Sequence, residues 1–378
     1  MSLSGVAPWP AHRAGAVLTI NLAAIAQNYA LLAAKAHHAT CAAVVKADAY
    51  GLGAAQVAPV LEQAGAREFF VAHVDEGLTL KPSLSARARI TVLHGARPQA
   101  LEECVHAGLR PVLNSLEQVA QLKAYAQRTG QRQDAVLQLD TGMSRFGLGA
   151  ADIQALADNP DLLSGISLSL IMSHLACADT PHNPANAQQL ARLQHYAQQL
   201  PKAPLSLAAS SGIFIGPEFH QNLVRPGAAL YGIAPNTEAP NPLQPVVRLQ
   251  AHVLQTRTLS KGDRVGYGLT WQAHGPCRVA TLATGYADGF ARAGASTGCA
   301  WFKGHKLPIL GRISMDSLTV AVSDVPEAAF GQDTLVDLIN GQYGVDDVAQ
   351  AEGTIGYEVL TSLGRRSHRV YQNTPSPV

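Results

Sequence analysis

With 378 residues the chain exceeds one ordinary domain and predicts two, and a 47% hydrophobic content is enough to build a sizeable core. A formal net charge of +1 gives no electrostatic basis for nucleic acid or an anionic membrane surface as a partner. Five scattered cysteines without a C-x-x-C pair predict reduced thiols in a cytoplasmic protein, not a disulfide framework or a zinc site.

Residues 1–15 carry Pro8 and Pro10 and no uninterrupted apolar stretch, so neither a signal peptide nor a membrane span is expected there. No later apolar run is long enough to cross a bilayer. The histidines lack ligand spacing (His37 and His38 are adjacent), and no metal centre is expected. Apolar, strand-like runs follow at residues 41–46, 69–72, 90–94, 111–113, 136–140, 168–174, 205–209 and 223–225. Helical patterns lie between or beside several of them, as at 22–37 and at 185–200, where Leu190, Leu193, Ala197 and Leu200 share a face. Strands alternating with helices predict a (β/α)8 TIM-like barrel, whose chemistry sits at the C-terminal strand ends. A doubly wound open sheet competes with it, but no G-x-G-x-x-G follows an early strand, and Gly51-Leu52-Gly53 lacks the Lys-Ser/Thr of a P-loop.

The proline-rich stretch 235–242 cannot continue a helix or a central strand, and it places the domain boundary at 238/239. Beyond it the pattern alternates: Leu249, Ala251 and Val253, then Leu318, Val320 and Val322, interleave with more polar residues. Residues 1–238 are therefore expected to form the barrel, and 239–378 a mostly antiparallel β domain ending in a short low-complexity tail, 373–378.

Lys46 ends the apolar run Ala42-Ala43-Val44-Val45. Burial disfavours an ammonium, so such a lysine either snorkels to solvent, loses its proton, or is consumed chemically as a Schiff base. Arg145, His174, Ser210, Ser211 and Arg225 occupy comparable strand-end positions. Each has a plain reading alone: a core histidine, a helix cap, an ion-pair partner. On a barrel they would converge on one mouth. That combination fits pyridoxal phosphate (PLP), with a lysine anchor and with hydroxyls and Gly-containing turns (Tyr50, Ser210-Ser211-Gly212, Pro226-Gly227-Ala228) for the phosphate. An arginine such as Arg225 at the pyridine nitrogen would donate a hydrogen bond without releasing its proton. The ring would then be a weaker electron sink, favouring return of a proton to the α-carbon over transamination.

The segments 46–51, 139–145 (Leu-Asp-Thr-Gly-Met-Ser-Arg) and 225–232 (Arg-Pro-Gly-Ala-Ala-Leu-Tyr-Gly) resemble, in order, motifs of the alanine racemase family. So do Gly266-Tyr267-Gly268, 285–289 and 311–316 in the second domain. The resemblance runs from about Ile20 to Tyr357 and implies a PLP-dependent homodimer that interconverts L- and D-alanine for peptidoglycan. Lys46 and Tyr267, the latter from the partner subunit, would be the two bases. Tyr50, Ser211, Gly227, Ala228 and Tyr357 would hold the phosphate. Arg225, through His174, would tune Tyr267. Arg145, Tyr267, Met315, Tyr286 and Asp316 would contact substrate, with Asp179, Arg292 and Arg312 completing an entry corridor. Asp288 reads as a loop-ordering hydrogen-bond acceptor. A racemase of different specificity, such as serine, and a related PLP decarboxylase are the alternatives. Two positions depart from the family pattern. Gln138 stands where many members carry a carbamylated lysine, so Arg145 would be held by the neutral amide, a water network or a bound anion such as chloride, and Ser210 replaces a common asparagine.

Overall fold

The structure is a computed structural model that describes residues 9–295 and 297–373. The start of the 1–15 segment, through residue 8, and the tail from 374 lie outside the described residues. The chain divides into two compact units: residues 25–244, and the described residues up to Ala24 together with those from Pro245 onward.

In the first unit seven strands form one parallel sheet: Ala43–Val44, Glu68–Val71, Arg89–Val92, Arg110–Leu113, Gln133–Gln138, Ile166–Met172 and Leu205–Ser206. The eighth, Leu223–Val224, pairs with Thr40–Cys41 on one side and reaches Ala209 through Arg225 on the other, which closes the ring. Helices such as Ala54–Gln63, Leu116–Thr129 and Pro184–Ala197 return the chain between strands, as short parallel connections require. The strands are short and nearly all buried because both faces are covered, one by helices and one by the barrel interior. At their N-terminal ends Arg110 joins Glu68, Thr91 and Ser169 in a buried polar network, so that end is built for stability.

The second unit is mostly antiparallel. Its long strand Val247–Leu259 pairs with Ala16–Asn21, Cys277–Leu282 and Leu335–Ile339. Ala16–Asn21 also pairs, in parallel, with His368–Gln372. The 238/239 division assigns this first strand to the barrel, whereas its hydrogen-bonding partners lie at 247–251 and 368–372. Alternation along a strand shows which face is buried and says nothing about which distant strand completes its ladder. All five cysteines are unpaired. No described helix is long and apolar enough to cross a membrane, and no group of three His, Cys, Asp or Glu among the described residues is placed to hold a metal.

Candidate active site

Lys46 follows the first barrel strand immediately. The strand hydrogen bonding ends at Val45, whose N–H donates to the Phe70 carbonyl at 2.9 Å. Beyond Lys46 the backbone turns left-handed: Ala47, Asp48, Ala49 and Tyr50 have φ between +53 and +56°, and Gly51 follows at +83°. Four consecutive non-glycine residues in this region cost roughly 1–2 kcal/mol each, so the surrounding structure must impose the turn. The Asp48 carboxylate accepts from Ala54 N at 2.7 Å, and Glu76 Oε1 accepts from Ala47 N at 2.7 Å. Burial, and then the Arg145 guanidinium, lower the Lys46 pKa below the ordinary lysine value, while Glu76 opposes them. Lys46 is thus biased towards the neutral, nucleophilic amine.

The turn also buries Tyr50, whose ring packs 4.8 Å from that of Tyr231. A Cβ on Gly227 would collide with the Tyr50 hydroxyl, so only glycine lets the two segments approach this closely. Ser210 lies at the centre of the same turn: its Oγ accepts from Gly227 N at 3.0 Å and from Ala229 N at 3.1 Å. With both lone pairs engaged, its hydroxyl proton is left to donate. Of the two backbone donors expected for a phosphate, Gly227 N–H is therefore already engaged by Ser210. Ala228 N–H and the partly exposed Ser211 hydroxyl at the start of Ser211–Phe214 make no such bond among the described residues.

Arg225 is 4% exposed and has no carboxylate partner among the described residues. It donates instead to the Ser206 hydroxyl, to the Ser173 carbonyl at 2.6 Å and to His174 Nδ1 at 3.5 Å. These bonds use Nη1 and Nη2, and Nε–H is not among them. Burial lowers its pKa to about 10, which leaves it a cation at neutral pH. The ring of His174, next to it, is pushed down to about 3 by burial and by Arg225, Arg145 and Lys46. His174 is therefore a neutral imidazole that accepts at Nδ1 and carries its proton on Nε2.

Arg145 sits on a loop that Asp140 organises, one carboxylate oxygen accepting from the N–H groups of Gly142, Met143 and Ser144 at 2.9–3.1 Å. A cleft of about 560 Å³ opens here, lined by His94, Asn114, Gln118, Asp140, Arg145 and Phe146. A larger one, about 700 Å³, lies near Arg132, Gly165 and Lys202, by the opposite strand ends and away from these groups. Gln138 packs against the returning loop, where a Cβ on Gly147 would stand 2.8 Å from its Cγ. Asp179 is exposed.

In the second unit Tyr267 is 69% exposed on the short turn Tyr267–Leu269, between Gly266 at φ +76° and Gly268 at +71°. Arg312 underlies that turn, because a Cβ on Gly268 would meet its Nη1 at 2.7 Å. The loops of Tyr286 and Met315 are joined by Tyr286 N donating to Ser314 O at 3.1 Å and Ala287 N to Met315 O at 3.0 Å. Leu269, Tyr286, Met315, Ile355 and Tyr357 are exposed apolar residues of the same unit, and Arg292 is exposed too. Asp288 does cap its own loop through Gly285 N at 2.9 Å, and it also receives a bidentate pair from Arg366. Arg366 reaches Asp316 as well, at 2.7 Å.

Two residues escape the sequence reading. Arg366 pairs with acids 50 and 78 positions earlier, a separation no local pattern signals. Glu76 carries one legible signal, an acid three residues after the helix cap His73.

Barrel residues of this kind, followed by a β unit, match the family model "Alanine racemase, N-terminal domain" over residues 20–235, and the C-terminal domain model over 246–371. A catabolic alanine racemase of Agrobacterium fabrum is 49% identical over 94% of this chain and 91% of its own length. An alanine racemase of Brucella suis is 47% identical over 95% and 94%. Among solved structures, alanine racemase from Bartonella henselae with covalently bound pyridoxal phosphate superposes with a TM-score of 0.92 at 41% identity, covering 95% of this chain and all of that one. The biosynthetic enzyme from Pseudomonas aeruginosa gives 0.88 at 34%, covering 95% and 100%. With both halves matched in order and nearly the full length aligned, the chain belongs to the alanine racemase family.

Proposed function

We propose that this protein is a PLP-dependent alanine racemase acting by two bases, Lys46 and Tyr267. The observation that carries the reading is Lys46 itself, held on a strained turn with its ammonium disfavoured by burial and by the Arg145 guanidinium. The residues fit the cofactor. The Tyr50 and Ser211 hydroxyls and Ala228 N–H would hold the phosphate, with Gly227 giving the close approach and Tyr357 completing the set. The free Nε–H of Arg225 suits a neutral pyridine nitrogen. When bound, PLP supplies a conjugated ring that withdraws electrons from the α-carbon of the substrate.

The chain's own side chains then divide the work. Lys46 anchors the cofactor, and its amine takes or returns the α-proton on one face. Tyr267 of the partner subunit does so on the other. Neutral His174, accepting from Arg225 and carrying its proton on Nε2, would serve as the hydrogen-bond donor between Arg225 and Tyr267. Arg145 and the Met315 backbone would receive the substrate carboxylate, Tyr286 and Tyr357 would form a narrow gate that favours a methyl side chain, and Asp316 would line the entry. The exposed apolar residues of this unit, Tyr267 among them, are what a second copy of this chain would cover, and we place the active site between two protomers. Five unpaired cysteines support a reducing, cytoplasmic setting. Supply of D-alanine for peptidoglycan is the expected role.

Borohydride reduction of the PLP-loaded protein followed by peptide mapping tests the reading, together with alanine and serine assayed side by side. The adduct is expected on Lys46 and the higher kcat/KM with alanine. An adduct on another amine, or no racemisation of alanine, overturns it.

A further inference from the structure

Lys46 is fixed from both sides by one neighbouring segment. On its N-terminal side Val45 N–H is bound by the Phe70 carbonyl at 2.9 Å. On its C-terminal side the N–H of Ala47, in the same rigid peptide plane as the Lys46 carbonyl, is bound by Glu76 Oε1 at 2.7 Å. The other oxygen, Oε2, accepts from Ala72 N at 2.6 Å and His73 N at 3.1 Å. One carboxylate therefore ties the start of the left-handed turn to the end of the second barrel strand. All three partners are donors, so the site needs an acceptor at both oxygens, which a carboxylate provides and an amide does not.

The plain role of an acid at this position is to cap the helix Val74–Leu80. This chain shows what that role alone requires. Asp152 caps Gly149 N at 3.1 Å, Asp288 caps Gly285 N at 2.9 Å and Asp347 caps Gly344 N at 2.7 Å, each with an aspartate. Capping thus needs only the shorter acid. The extra methylene of Glu76 is what brings its second oxygen to a segment 29 residues away.

We propose that Glu76 is the positioning residue of Lys46, holding the peptide plane beyond it so that the turn presents the amine in one orientation. The proposal rests on the assignment of Lys46 as the cofactor lysine, but its first test does not. In the cofactor-free protein, Glu76→Asp should raise the amide hydrogen-exchange rate of Ala47 more than tenfold while leaving that of His73 within twofold. In the PLP-loaded protein the same variant should lower kcat about tenfold, leave KM for alanine within threefold, and slow attachment of added PLP to Lys46. Unchanged exchange at Ala47, or faster exchange with unchanged kcat and attachment rate, would reduce Glu76 to a helix cap and overturn the proposal. If Glu76→Asp does not fold, Glu76→Gln serves: its single acceptor should release either Ala47 or the Ala72–His73 pair, and protection of all three amides would overturn it equally. A wild-type adduct away from Lys46 would sink the functional reading while leaving the exchange result to judge the clamp.

Discussion

Arg225 Nη2 lies 3.5 Å from His174 Nδ1, and this contact constrains the protonation of the imidazole. A guanidinium only donates, so Nδ1 must accept and the imidazole must be neutral. The folded pKa of His174, about 3, is well below the value of 6.5 it has when unfolded. Between those values the unfolded chain binds a proton that the native one refuses. The stability this group contributes is thus fully present above about pH 6.5 and is lost as pH falls towards 3, at roughly 1.4 kcal/mol per pH unit. Urea midpoints at pH 7.5, 6, 5 and 4 should fall more steeply for the wild type than for His174→Gln, which does not titrate. Parallel curves would show that the imidazole is not held neutral.

Tyr267→Phe removes only an oxygen from a side chain that is 69% exposed, so fold and cofactor should be retained. Racemisation should drop about 10²- to 10⁴-fold, the usual contribution of a general acid–base group. Mixing this variant with Lys46→Ala adds a sharper check. If each site draws on two chains, random exchange of protomers restores roughly a quarter of wild-type activity, because half the dimers regain one intact site. Sites built from one chain would restore none.

Gly227→Ala tests the cradle. The added methyl group meets the Tyr50 hydroxyl in a packed region, an overfilling that costs about 1–3 kcal/mol. PLP affinity, followed by absorbance titration, should weaken by tenfold or more. Affinity within twofold of the wild type would mean that Tyr50 and Gly227 do not form the phosphate site.

Arg366 makes three charge-assisted bonds, two of them to Asp288, which is largely buried. Arg366→Leu leaves that carboxylate without its partner, and because the arginine is itself partly solvated we expect a loss of about 2 kcal/mol. Arg366→Lys should recover only part of it, since an ammonium cannot reproduce the bidentate geometry. The freed Asp316 should also raise KM for alanine. Equal chemical denaturation midpoints for all three proteins would refute the clamp.

What the sequence determined by itself is local and periodic. Eight apolar runs produced the barrel strands, because a strand covered on both faces is mostly apolar, and alternation beyond the proline-rich stretch produced the β unit. Lys46, Arg145, His174 and Arg225 were visible as polar residues ending such runs. Only the tertiary structure decided which distant groups meet. It moved the strand Ala16–Asn21 into the sheet of the second unit, gave Ser210 two backbone donors to gather, and set Arg366 between Asp288 and Asp316. It also showed the left-handed turn and the carboxylate of Glu76 that binds it. Periodicity records which side of an element avoids water, whereas a hydrogen bond across many residues depends on where the closed chain carries each donor.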